Sequence, residues 1–216
     1  RESNMWIAAG GRGLLRVNEQ GVSARVTGAR ALPTNVTAIF EDRDGNLWVG
    51  TTDGLERMRD GVFTSYASAQ GLPSDSAGPI FIDDGGRTWF APTTGGLYWL
   101  RDGRVVPVTR GGLADDVVYS IGGGGGDVWV GRQRGGLTRL RFDDGELSVE
   151  RYTQAGGLAQ DSVYAVHRAR DGAVWAGTLS GGASRFKDGS FTNYDTTNGL
   201  ASNTVASILE GGDGTI

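Results

Sequence analysis

The chain has 216 residues, a formal net charge of −4, one His and no Cys, and 38% of its residues are aliphatic, aromatic or sulfur-bearing. That is apolar enough for a packed interior, and it excludes a disulfide framework, thiolate chemistry, metal centres built on several His or Cys, and a chain that binds polyanions as a whole. No apolar run approaches the roughly 20 residues of a membrane helix. The 38 Gly, without a collagen period, signal many turns. The opening Arg1-Glu2-Ser3-Asn4 carries no leader, so the chain reads as a mature or excised segment.

In chain order, the first element is a strand at Trp6-Ile7-Ala8. A full unit of four strands follows. Val36–Glu41 is closed by a turn at Asp44-Gly45, Leu47–Thr51 by Asp53-Gly54, Leu55–Arg59 by Asp60-Gly61, and Phe63–Tyr66 ends the unit. We call the four strands of a unit A to D. A link containing Gly71-Leu72-Pro73 leads onward. Ala77 to Trp89 then repeats the first half of that unit, as do Val118 to Trp129 and Val163 to Trp175. A last copy begins at Val205–Glu210 and reaches Asp213-Gly214. The B-strand residues Trp6, Trp48, Trp89, Trp129 and Trp175 stand 42, 41, 40 and 46 residues apart. Helical periodicity appears nowhere, and the Gly spacing would break a helix.

A four-stranded meander has two apolar faces that it cannot bury alone, and stacking such units around an axis buries both. The fold class is therefore all-β: a β-propeller of four-stranded antiparallel blades with five repeat units, expected as one domain over residues 1–216. The Trp column is expected in the packing between blades. The chain starts in a B strand and stops after an A strand. Pairing of 205–210 beside Trp6-Ile7-Ala8 would close a five-blade ring and remove two free edges; the alternative is an arc of a larger ring.

The string from Leu32-Pro33-Thr34-Asn35 through Asp44-Gly45-Asn46-Leu47-Trp48-Val49-Gly50-Thr51 to Gly54-Leu55, echoed at 156–178 and 199–216, resembles the two-component regulator propeller repeat. That resemblance implies the extracytoplasmic, periplasmic sensor of a bacterial hybrid histidine kinase or diguanylate cyclase receptor. There the propellers precede a small β-sandwich, a membrane helix and an output domain, and rings are often seven-bladed.

Candidate chemistry is sparse. His167 lies at the phase of Phe40 and Phe81, which suits packing better than proton transfer. Asp42-Arg43-Asp44-Gly45 has calcium-like spacing in this copy alone, and turn chemistry accounts for all copies. The Arg16, Arg57, Arg139 and Arg185 column, broken by Trp99, reads as an exposed stripe with acidic partners. Gly122–Gly126 lacks the Lys and helix of a phosphate loop and reads as a loose hairpin. No catalytic residue, metal site or cofactor is expected.

In a meander propeller the D-to-A links and the B-to-C turns share one rim. The ligand-binding candidates there are Asn35, Asp53, Asp75, Asp116, Arg132, Arg134, Asp161, Ser180 and Asn203, polar groups suited to a hydroxyl-rich ligand. The expected function is a sensor module that binds a small or oligosaccharide ligand and works with the rest of a receptor chain, without nucleic acid or direct membrane insertion. A polysaccharide-active lyase or hydrolase and a protein-interaction scaffold are the alternatives, since propellers host many functions.

Overall fold

Nineteen strands alternate with tight turns in the computed structural model, which describes residues 5–9, 13–21, 23–25, 35–42, 44–59, 62–66, 68, 71–73 and 78–216. Among the sequence candidates, Asp75 lies outside the described residues. Strands β1 (Met5–Ala9), β2 (Gly13–Val17) and β3 (Ser23–Arg25) form a three-stranded antiparallel sheet. Four-stranded antiparallel sheets follow in the order of the chain. They comprise β4 (Val36–Glu41) to β7 (Val62–Tyr66) through β5 (Leu47–Thr51) and β6 (Gly54–Arg59); β8 (Ile80–Ile82), β9 (Thr88–Phe90), β10 (Tyr98–Arg101) and β11 (Arg104–Pro107); β12 (Val118–Gly124), β13 (Asp127–Arg132), β14 (Leu137–Asp143) and β15 (Glu146–Tyr152); and β16 (Val163–Arg168), β17 (Val174–Thr178), β18 (Ala183–Lys187) and β19 (Ser190–Tyr194). The architecture is a β-propeller of sequential meanders. The A strands β4, β8, β12 and β16 approach one another in succession and so form the inner edge.

Turn chemistry explains these meanders. In the C-to-D turns Asp102-Gly103, Asp144-Gly145 and Asp188-Gly189, both residues sit at positive φ: 50° for each Asp, and 76°, 86° and 79° for the Gly. Two successive left-handed residues make the type I′ turn, whose twist matches the flanking strands. In the links, Gly157 and Gly199 cap short 3-10 turns (Gln154–Gly156 and Thr196–Asn198) at φ 100° and 113°. Leu72, Leu113 and Leu158, each following a link Gly, are buried plugs between sheets.

Four apolar clusters fill the spaces between the five sheets, and each contains one Trp of the column. Trp48, Trp89 and Trp129 are 4%, 0% and 3% exposed. Trp6 and Trp175 are half-buried. Where β5, β13 and β17 cross under the segment that opens the next unit, Gly leaves room for it. A Cβ on Gly131 would stand 2.8 Å from the Val163 carbonyl oxygen, and one on Gly177 would stand 2.5 Å from that of Val205. Gly131→Ala is therefore expected to cost about 1–3 kcal/mol by overpacking, as a drop in denaturant midpoint at constant m-value. An unchanged midpoint would show that the blades can part freely.

Three expectations need correction. The Gly122–Gly126 hairpin is not loose: Gly122, Gly123 and Gly124 belong to β12 and pair with Trp129, Val128 and Asp127. The Arg column has its acidic partners at Arg139, 2.9 Å from Asp127, and at Arg185, 2.8 Å from Asp171. But Arg57, Arg139 and Arg185 are half-buried instead of exposed, and Arg16, Arg57, Arg139 and Arg185 lie directly opposite Trp6, Trp48, Trp129 and Trp175. The Arg57 and Arg139 guanidiniums sit 5.7 Å from the Trp48 and Trp129 ring centres, within cation–π range. In the sheet where Trp99 breaks the column, Arg87 supplies the cation, 5.5 Å from Trp99 and 3.8 Å from Phe142. The expected strand at 205–210 does not form either. Val205 N–H donates to the Thr178 carbonyl at 2.9 Å, and Gly211 N–H to that of Thr215 at 2.7 Å. β1 is an edge strand whose one partner among the described strands is β2, so the expected pairing with 205–210 is not made.

Candidate functional site

The rim of links and B-to-C turns is built by a recurrent staple. The link residues Asp116, Asp161 and Asn203 each accept, through their carbonyl, a Gly N–H from a B-to-C turn: Gly96 at 3.1 Å, Gly136 at 2.9 Å and Gly182 at 2.8 Å. Two of them also cap their own link. Asp161 Oδ1 accepts from Gln154 N–H and Asn203 Oδ1 from Thr196 N–H, both at 2.8 Å. These side chains are thus occupied in ordering the rim, as Asx residues do in turns.

Asp116 goes further inward. It is 5% exposed and Arg132 2%, and Arg132 Nε donates to Asp116 Oδ2 at 3.0 Å. The same guanidinium donates to the Gly111 carbonyl at 2.8 Å, to Thr138 Oγ1 at 3.3 Å and to the Gly112 carbonyl at 2.5 Å. Burial pulls the Arg132 pKa below its ordinary value while Asp116 opposes that pull. A group with this many internal partners orders two loops and has little left for a ligand.

The other candidates stay at the surface. Asn35 and Asp53 are exposed, and Asp53 N–H bonds Thr51 Oγ1 at 3.2 Å. The Arg134 side chain is 76% exposed, with its Nε 3.9 Å from Asp116 Oδ1. Ser180 Oγ accepts from Gln160 Nε2 at 2.7 Å, while Ser180 N–H donates to Gln160 Oε1 at 2.8 Å.

Sequence reasoning missed two residues on this rim. In β4, β12 and β16 the register shifts between Val36 and Ala38, Val118 and Ser120, and Val163 and Ala165. Thr37, Tyr119 and Tyr164 occupy these bulges, which re-aim a side chain. The Tyr119 and Tyr164 rings meet edge to face at 4.6 Å across the boundary between two sheets. Gln133 Nε2, on the adjoining turn, donates to the Tyr119 hydroxyl at 2.8 Å. Their shared phase, one residue into each A strand, was the available signal.

The opposite rim holds a cleft of about 390 Å³ lined by Phe40, Asp42, Asp44, Phe81, Asp83 and Arg57. The carboxylates of Asp42 and Asp83 are spent on turns. Asp42 Oδ1 accepts the N–H groups of Asp44 and Asn46, and Oδ2 accepts Asn46 Nδ2 and Trp48 Nε1 at 2.7 and 2.9 Å. Asp83 treats Trp89 Nε1 in the same way at 2.9 Å. Burial acts to raise the Asp42 pKa, but the donors from Trp48 and Asn46 hold it below the usual carboxylate range, which suits an acceptor and not a general acid. His167 faces Trp175 in the ladder and has Glu210 Oε2 3.6 Å from its Nε2, with no hydrogen bond to a nucleophile among the described residues. No cluster of three His, Asp or Glu suited to a metal occurs among the described residues. No helix among them is long and apolar enough to cross a membrane.

Residues 32–53 match the family model described as two component regulator propeller. No curated protein matches the sequence. Among solved structures, the extracellular domain of the hybrid two-component system BT3049 from B. thetaiotaomicron is 15% identical, with a TM-score of 0.67 over 99% of this chain and 36% of that one. The corresponding domain of BT4673 from the same organism is 17% identical, with a TM-score of 0.75 over 98% of this chain and 29% of that one. A gluconolactonase from Xanthomonas campestris, XC5397, is 16% identical, with a TM-score of 0.60 over 94% of this chain and 74% of that one. The chain thus spans about a third of the length of the sensor domains it resembles.

Proposed function

Since this chain carries the two-component regulator propeller repeat at residues 32–53, we propose that it is the ligand-binding sensor propeller of a bacterial transmembrane signalling receptor, working outside the cytoplasmic membrane. The rim carries the reading. Arg134, Asp53, Asn35 and the Gln160–Ser180 pair remain accessible above a scaffold stapled by Asp116, Asp161 and Asn203. Short polar groups at a concave mouth suit a small hydroxyl-rich ligand or an oligosaccharide. Binding would bias the rest of the receptor through the difference in its affinity for two receptor states.

A second reading, an enzyme on a propeller scaffold, draws support from the likeness to the gluconolactonase fold. One experiment separates the two. The purified chain is heated with pools of neutral oligosaccharides, and each pool is followed by mass spectrometry. Saturation at a hundredfold excess over Kd adds about 2.7 kcal/mol, a rise of roughly 5–10 °C in melting temperature. The sensor reading expects that rise with the sugars recovered intact. Product whose formation disappears on substituting His167 or a single carboxylate would overturn it.

A further inference from the structure

We propose that Tyr119, Tyr164 and Gln133 form the ligand platform of the rim, at the boundary between the β12 and β16 sheets, where one tyrosine takes the flat face of a neutral sugar ring and the other, standing nearly perpendicular to it, flanks the edge of the sugar. The proposal rests on the sensor reading above and assigns it a site. The bulge position does not need an aromatic residue to fold. Its counterpart in the first four-stranded sheet is Thr37, whose hydroxyl bonds the Gly50 carbonyl at 3.2 Å, and in the next it is Gly78. Tyrosine stands there in two successive sheets, and those two rings touch.

Their polar atoms are also left available. The Tyr119 hydroxyl accepts from Gln133 Nε2 and so keeps its proton to donate. The Tyr164 hydroxyl and Gln133 Oε1 have no hydrogen-bond partner among the described residues. An apolar ring face beside a free hydroxyl donor and a free amide acceptor matches a sugar, whose C–H face is apolar and whose hydroxyls both donate and accept. All three side chains are uncharged, which favours a neutral ring over an anion. Both rings are half-buried and held by sheet backbone, so little side-chain freedom is lost on contact.

The test titrates the purified chain by calorimetry with six-sugar oligomers of xylose, mannose, glucose and arabinose. The unmodified protein is compared with Tyr119→Ala, Tyr164→Ala, Gln133→Ala and the double variant Tyr119→Phe/Tyr164→Phe. The expected result is binding of at least one oligomer. Either Ala change at tyrosine weakens it by more than tenfold, and the Phe pair or Gln133→Ala by about threefold to tenfold at an unchanged melting temperature. The Phe pair and Gln133→Ala keep the test decisive if an Ala variant fails to fold. Binding held within twofold in the Phe pair and Gln133→Ala, yet lost on Arg134→Ala or Ser180→Ala, would overturn this site and leave the sensor reading intact. Failure of the unmodified protein to bind any oligomer, or binding of a planar aromatic probe in their place, would overturn the sugar assignment itself.

Discussion

Replacing Trp129 with Ala lowers the unfolding free energy by about 3–5 kcal/mol, the range for deleting a large buried aromatic. Trp129 belongs to the cluster with Leu137, Leu158, Val163, Val174 and Ala176, so its loss opens a cavity between two sheets. Its ring lies 5.7 Å from Tyr152 and 5.5 Å from Phe186. Arg139 is 5.7 Å from its centre on the neighbouring strand, so the change also strips a half-buried cation of its aromatic cover. The same substitution at Trp175, which is half-buried and stacks on Tyr194 at 5.4 Å, is expected to cost less than half as much. Denaturant melts of both variants check the pair. A cost below about 1 kcal/mol at Trp129 would mean that the interface repacks around the gap.

That contrast between two members of one column marks how far the sequence could be read. The Trp spacing and the Asp-Gly turns identify the meander, and the bounds of β4 and β5 coincide with the hydrophobic runs at Val36–Glu41 and Leu47–Thr51. Local signals suffice there, because a hairpin turn and a two-residue alternation act over a few residues. The partners of charged side chains were less legible. Arg57 and Arg139 look like surface cations until the strand register sets each opposite a Trp. Asp42 stands six residues before Trp48 and meets the indole only because the turn folds back. Asp116 and Arg132 come from different elements of one unit, and their burial depends on the carbonyls of the preceding link. Tyr119 and Tyr164 are 45 residues apart in the chain, and no local pattern says that successive A strands bring them together. The unformed strand at 205–210 has a simpler cause. A strand needs a neighbour with which to exchange a ladder of hydrogen bonds, and that segment makes a single backbone bond to a described strand, from Val205 N–H to the Thr178 carbonyl at the end of β17.

Removing the Asp116 carboxylate is the other substitution expected to cost several kcal/mol. Asp116→Ala leaves the Arg132 guanidinium buried with its carbonyl and hydroxyl acceptors but without its counter-charge, for an expected loss of about 3–5 kcal/mol. The exposed Arg134, 3.9 Å from the other carboxylate oxygen, sits on a solvated turn and is expected to compensate little. Taking both charges away in Asp116→Ala/Arg132→Met is expected to recover most of the loss, because a thioether fills the volume without needing a partner. A double-mutant cycle on denaturant midpoints measures the coupling, with about 2 kcal/mol or more as the expected value. Ligand titration of the same four proteins separates structure from recognition. A buried structural pair predicts that the double variant, once refolded, binds sugar nearly as well as the unmodified chain. If Asp116→Ala instead abolished binding while leaving the melting temperature untouched, Asp116 would be a ligand residue after all, and the staple at its carbonyl would be incidental to its role.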